Sequence, residues 1–143
     1  MALRNAKRVG GHRVQIVDRE MLAARMREIE LIGRLRDGAV DAMEVVYQPI
    51  VDLDRPGRPT VAVEALARWH DSALGTVSPG EFIPLAEEAG VVGAIGVKVL
   101  ADALGWLERW REDGVDVHVT VNVSWAQLDE AGVVDAMRAL ILR

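Results

Sequence analysis

Val115, Val117, Val119, Val121 and Val123 occupy every second position of one stretch. Side chains two residues apart share a face only in an extended strand, so residues 115–124 are read as a strand. Its valine face needs an apolar layer, and Asp116, His118, Thr120, Asn122 and Ser124 point the other way. The flanking sequence supplies the layer. Residues 92–111 place Ile95, Val99, Ala103, Leu107 and Trp110 at helical spacing, and Asp113-Gly114 stops them. Residues 126–142 read as a last helix.

The same alternation extends upstream. Residues 44–51 (EVVYQPIV) and 61–68 read as strands, joined by a turn-rich loop with Pro56, Gly57 and Pro59, which favours a hairpin. Ser78-Pro79-Gly80-Glu81 is a helix start in which Ser78 caps, Pro79 takes the first helical position and Glu81 completes a capping box. That helix is expected to end near Gly90. From Glu44 onward the order is strand, strand, helix, helix, strand, helix, which points to an α/β fold with a largely parallel sheet.

Two further units precede this one. Residues 18–40 read as a helix capped by Asp18, with Leu22, Met26, Ile29 and Leu35 as its apolar stripe, charges on its other faces and Gly38 as its end. A connector between domains and an ordinary surface helix both fit that pattern. Residues 1–17 offer a helix end, a Gly10-Gly11 break and a short strand. They are too few to fold alone and read as the tail of another unit.

Composition narrows the function. The chain has 143 residues, suiting one domain, with 22 acidic and 17 basic residues and a net charge of −5. That balance argues against a nucleic-acid polymer as partner, because such binding rests on Lys and Arg neutralising phosphates. A compact site for one small anion stays open. Cysteine is absent, which excludes disulfides, thiolate metal sites and a Cys nucleophile, and fits a cytoplasmic setting. No apolar run approaches the roughly 20 residues of a membrane helix. His12, His70 and His118 show no ligand spacing, and Trp69, Trp106, Trp110 and Trp125 are read as core or helix-packing residues.

Strand periodicity singles out three polar residues. In residues 61–68, Glu64 lies mid-strand on a face shared with Ala62, Leu66 and Arg68. A carboxylate buried there costs several kcal/mol unless a cation or donors meet it. A Glu64–Arg68 ion pair, a wet edge strand and a functional carboxylate all satisfy that demand. Asn122 comes near the C-terminal end of its strand, where catalytic groups collect in α/β barrels. Its face could equally be turned to water.

Four blocks taken together resemble the EAL family of bacterial cyclic di-GMP phosphodiesterases. They are Tyr47-Gln48-Pro49-Ile50, Val63-Glu64-Ala65-Leu66-Ala67-Arg68-Trp69, Ser78-Pro79-Gly80-Glu81-Phe82-Ile83-Pro84-Leu85-Ala86-Glu87 and Val121-Asn122-Val123-Ser124. Their order and spacing also match. The opening Asn5-Ala6-Lys7-Arg8-Val9-Gly10-Gly11-His12-Arg13-Val14 resembles the closing helix and strand of a GGDEF diguanylate cyclase domain, without that domain's signature or metal site.

The resemblance implies a partial TIM-like (β/α) barrel whose first strand runs antiparallel to the others. It divides the chain into a GGDEF remnant at 1–17, a helical linker at 18–40 and the N-terminal part of an EAL domain at 41–143. It implies hydrolysis of cyclic di-GMP to the linear dinucleotide with two Mg²⁺ or Mn²⁺ ions. Glu64 and Asn122 would be metal ligands, Leu66 and Arg68 would contact the ligand, and Gln48 would line the pocket. A TIM barrel needs about 250 residues, so the barrel is expected to be truncated, with no complete catalytic set and no activity alone. The alternative is a non-catalytic EAL-derived module that binds cyclic di-GMP or a protein. An exposed barrel edge would favour a homodimer.

Overall fold

The computed structural model describes residues 18–143. The unit expected at 1–17 lies outside the described residues. Helix α1 spans Arg19–Arg34 and runs into a wide helical turn at Leu35–Ala39. Strands β1 (Glu44–Val51), β2 (Thr60–Asp71) and β3 (Gly75–Val77) follow, then α2 (Pro79–Ala89), α3 (Val92–Glu112), β4 (His118–Val121), α4 (Trp125–Asp129) and α5 (Val133–Ile141).

β2 is the centre of the sheet. β1 pairs antiparallel along it, with Gln48 opposite Glu64 and Val46 opposite Leu66. β4 pairs parallel on its other side, with Glu64 opposite Thr120 and Ala65 opposite Val121. β3 continues as a short hairpin against Trp69–Asp71. The expected hairpin and the antiparallel first strand are therefore both present, but the sheet is not largely parallel, since among the described strands only β4 runs parallel to β2. Ala65, Trp69, Val119 and Val121 turn to the helices and share one core cluster with Phe82, Leu85, Val92, Ile95 and Val99, and Val63 is buried on the same face of β2. Trp69 and Phe82 are both buried and meet edge to face, 5.9 Å between ring centroids.

The strand expected over 115–124 is shorter. Gly114 takes a left-handed φ of 75°, and the Val115 N–H donates to the Trp110 carbonyl at 2.8 Å. Val115 thus belongs to the terminator of α3, and pairing with β2 begins only at His118. The last helix is also divided. Glu130 is extended and Gly132 has a φ of 80°, which separates α4 from α5.

Helix α1 begins as expected, with Asp18 Oδ1 accepting from the Met21 N–H at 2.8 Å. Its docked face is not the expected one. Leu22, Met26 and Ile29 are exposed, while Leu31 and Leu35 are buried in the core. Arg27 and Arg34, two turns apart on the docked side, reach Glu81 and Asp71 and fix the rotation. Glu81 is therefore unavailable for a capping box, and Ser78 makes no side-chain cap. A forked pair with Arg27, Nη2 to Oε2 at 3.2 Å, outcompetes a lone backbone donor. The Leu74 and Ala73 N–H groups, aided by Arg34, hold the Asp71 carboxyl below the usual carboxylate range against the upward pull of burial. Trp125, expected in the core or packed on a helix, is 83% exposed.

This core sets one expected outcome. Phe82→Ala empties a fully enclosed ring site and should cost about 3–5 kcal/mol in a urea unfolding curve. Leu53→Ala, on the exposed hairpin loop, should stay within about 0.5 kcal/mol of the parent.

Candidate functional site

The face of the sheet turned away from the helices collects the singled-out residues. Partners in a ladder share a face, so Val46, Gln48, Ala62, Glu64, Leu66, Arg68, His118 and Thr120 all point to it. Asn122 lies just past the end of β4. Its Nδ2 donates to Glu64 Oε1 at 2.6 Å, across 58 positions of sequence. Glu64 is half-buried and Asn122 exposed. Asn122 is thus the side-chain donor that meets the mid-strand carboxylate.

The alternative Glu64–Arg68 pair is not formed. Arg68 Nη1 donates to the Ala67 carbonyl at 2.9 Å, and among the described residues its guanidinium makes no ion pair. Four donors of its fork are left for an anion. A cavity of about 280 Å³ opens at the C-terminal ends of β2 and β4, lined by Leu66, Arg68, Asn122, Ser124, Phe82 and Gln127 among others. Leu66, Arg68 and Asn122 therefore share one cavity. Glu64 joins it through its bond to Asn122. Gln48 lies opposite Glu64 in the ladder but does not line the cavity.

The structure adds residues that spacing did not reveal. Gln127 is buried, accepts from the Ser124 N–H at 2.7 Å and donates to the Val92 carbonyl at 2.9 Å. With Ser124 it forms a reciprocal capping box on α4. The Ser124-x-x-Gln127 pattern was the available signal. On the opposite face, Tyr47 packs edge-on to Trp110 and Trp106, with centroids 5.0 and 6.2 Å away. Burial and nearby Asp102 push its phenol up to about 12, with Arg109 acting the other way, so it stays neutral and structural. Among the described residues no group of three carboxylate, imidazole or thiol side chains is gathered for a metal ion. Glu64 and Asn122 are two oxygen-bearing side chains on their own.

Comparison with known proteins converges on one family. A family model described as EAL domain matches residues 33–143. The chain is 35% identical over 145 residues to the bifunctional diguanylate cyclase/cyclic di-GMP phosphodiesterase MucR of Pseudomonas aeruginosa, covering 99% of this chain and 21% of MucR. It is 34% identical over 114 residues to another cyclic di-GMP phosphodiesterase of the same organism, covering 78% of this chain and 19% of the relative. The solved MucR phosphodiesterase, in complex with c-di-GMP, superposes with a TM-score of 0.68 at 36% identity, over 80% of this chain and 46% of that one. The chain therefore spans about a fifth of these curated relatives and just under half of the solved domain.

The contact between positions 64 and 122 sets a pH-dependent expectation. Asn122→Asp would bring two carboxylates to hydrogen-bond distance, which raises the folded-state pKa of one of them. The variant should be less stable than the parent by about 1 kcal/mol at neutral pH in this half-exposed setting. The gap should close as pH falls through the raised pKa. Thermal unfolding at several pH values checks this, and a constant gap would mean the two side chains do not meet.

Proposed function

The chain belongs to the EAL-domain family, and from that premise we propose that it carries the first part of a cyclic di-GMP phosphodiesterase site, with Glu64 and Asn122 as metal ligands. The observation that supports this best is the 2.6 Å contact between them on the face that also presents Leu66, Arg68 and Gln48. A module that only bound a protein would have no need of a carboxylate and an amide in register there.

The donor set fits a divalent cation. Divalent-metal dependence goes with EAL phosphodiesterases as a family. Carboxylate and amide oxygens are the hard ligands that Mg²⁺ and Mn²⁺ take. Turning the Asn122 amide about its terminal torsion brings Oδ1 to the side where Nδ2 now stands, so that both residues offer oxygen. When bound, the two cations would neutralise phosphoryl charge and lower the pKa of the attacking water. Arg68, without an ion pair among the described residues, offers its fork to a phosphate. Leu66 packs against the ligand, and Gln48 supplies an amide beside Glu64. The reaction adds water across one phosphodiester bond, hydroxide to phosphorus and a proton to the departing ribose oxygen, giving the linear dinucleotide.

We read residues 1–17 as the end of a GGDEF-like unit, 18–40 as a helical linker whose last turns dock on the core, and 41–143 as EAL domain. The burial of Leu31 and Leu35 supports that docking. The reading also includes a cytoplasmic setting and self-association, since the outer edge of β4 is unpaired among the described residues and Val123 and Trp125 beside it are exposed.

The test is binding and turnover by the 143-residue chain. Glu64 and Asn122 alone, with no group of three metal-ligating side chains gathered among the described residues, should give no useful hydrolysis. Cyclic di-GMP should still bind in a Mn²⁺-dependent manner by calorimetry. Arg68→Ala should weaken it about tenfold, the worth of a charge-assisted bond, and Glu64→Ala should abolish the metal dependence. Binding that is indifferent to metal and to Glu64 would overturn the assignment.

A further inference from the structure

Nothing in the strand ladder holds Asn122 where it is. The β2–β4 pairing ends at Ala65 and Val121, so the chain direction beyond Val121 needs another restraint. Gln127 provides it. It is 5% exposed, the one buried polar residue among those described. Its Oε1 accepts from the Ser124 N–H at 2.7 Å, its Nε2 donates to the Val92 carbonyl at 2.9 Å, and its own N–H donates to Ser124 Oγ at 3.3 Å. The segment two residues past Asn122 is thereby tied to the first turn of α3.

Helix α3 is shaped to receive this tie. A Cβ at Gly96 would lie 2.5 Å from Gln127 Nε2 and 2.8 Å from Met137 Cε, and one at Gly93 would collide with Glu130 and Val133. The Glu130 carboxylate accepts from the Gly93 N–H, 3.2 Å from each oxygen. Two glycines one turn apart thus leave room for two side chains from beyond β4 to reach the α3 backbone.

We propose that Gln127 is a positioning residue, one that sets the Asn122 amide against Glu64 without touching ligand or metal itself. The inference rests on Glu64 and Asn122 being the metal-holding pair. Without the Gln127 amide, the Val92 carbonyl and the Ser124 N–H lose buried partners, and the turn that aims Asn122 is free to move. A purely architectural Gln127 differs in one respect. Any change that loosens the α3–α4–α5 junction would then disturb Asn122 equally.

The experiment is NMR on the metal-free chain. It follows the Asn122 side-chain amide protons, whose hydrogen-bonded signal is identified by its loss in Glu64→Ala. Gln127→Met keeps length and bulk but removes both polar atoms. It should lower the occupancy of the Asn122–Glu64 bond about tenfold, moving the signal to the free-amide position. Gly96→Ala should do the same by displacing the Gln127 amide while favouring the helix, and it decides the matter if Gln127→Met does not fold. Val133→Ala loosens the same junction at Gly93 rather than at Gly96 and should leave the signal in place. A signal retained in both Gln127→Met and Gly96→Ala, or lost equally in Val133→Ala, would overturn the proposal. Added Mn²⁺ then separates the two readings. In the parent it should broaden Asn122 and Glu64 resonances, with about tenfold weaker affinity in Gln127→Met. No broadening in the parent would refute the metal assignment, while the metal-free signals would still decide the role of Gln127.

Discussion

The parallel pairing of β2 with β4 is the constraint on which the rest depends. Its register, Glu64 opposite Thr120, fixes which residues of two distant segments share a face. A shift by one residue would turn Asn122 toward the helices and bring Val121 to the open face. The valines prevent it. Val119 and Val121 pack on the core with Ala65, so the apolar side of β4 holds the polar side in phase. Core packing and site geometry are consequences of the same alternation.

The antiparallel β1 has a complementary part. It places Gln48 and Val46 beside Glu64 and Leu66 and leaves Tyr47 to the tryptophans behind the sheet. The helices then close the C-terminal end of β2, where α2 and α3 wall the cavity holding Arg68 and Asn122. Helix α1 is anchored through partly exposed charge pairs and two buried leucines rather than along its longest apolar stripe. Such pairs add little stability each, but they select one rotation of the helix. Leu22, Met26 and Ile29 are left on the outside.

Much of this was legible in the sequence where one period acted alone. The bounds expected for β1 match to the residue and those for α2 and α3 to within a residue or so, since Gly or Pro punctuates at least one end of each. Errors arose where two local signals competed. Val115 fits the valine alternation, yet its N–H is taken by the end of α3. Glu81 fits a capping box, yet an arginine 54 positions away claims it. β3 is three residues long and carries no periodicity. The candidate site was less legible still. Spacing placed Glu64 and Asn122 on polar faces but left the solvent reading open for both. Their meeting is a tertiary fact that only the β2–β4 register supplies, and the part we give Gln127 depends on glycines of another helix.

The central claim is that Glu64 and Asn122 act as one oxygen site. A double-mutant cycle on Mn²⁺ affinity, followed by electron paramagnetic resonance for the parent chain, Glu64→Ala, Asn122→Ala and the double variant, addresses it most directly. Ligands of one ion are strongly coupled, so the account predicts that the second substitution adds almost nothing to the loss caused by the first. Losses that simply add, or a parent that binds no Mn²⁺ above the level of the double variant, would contradict it.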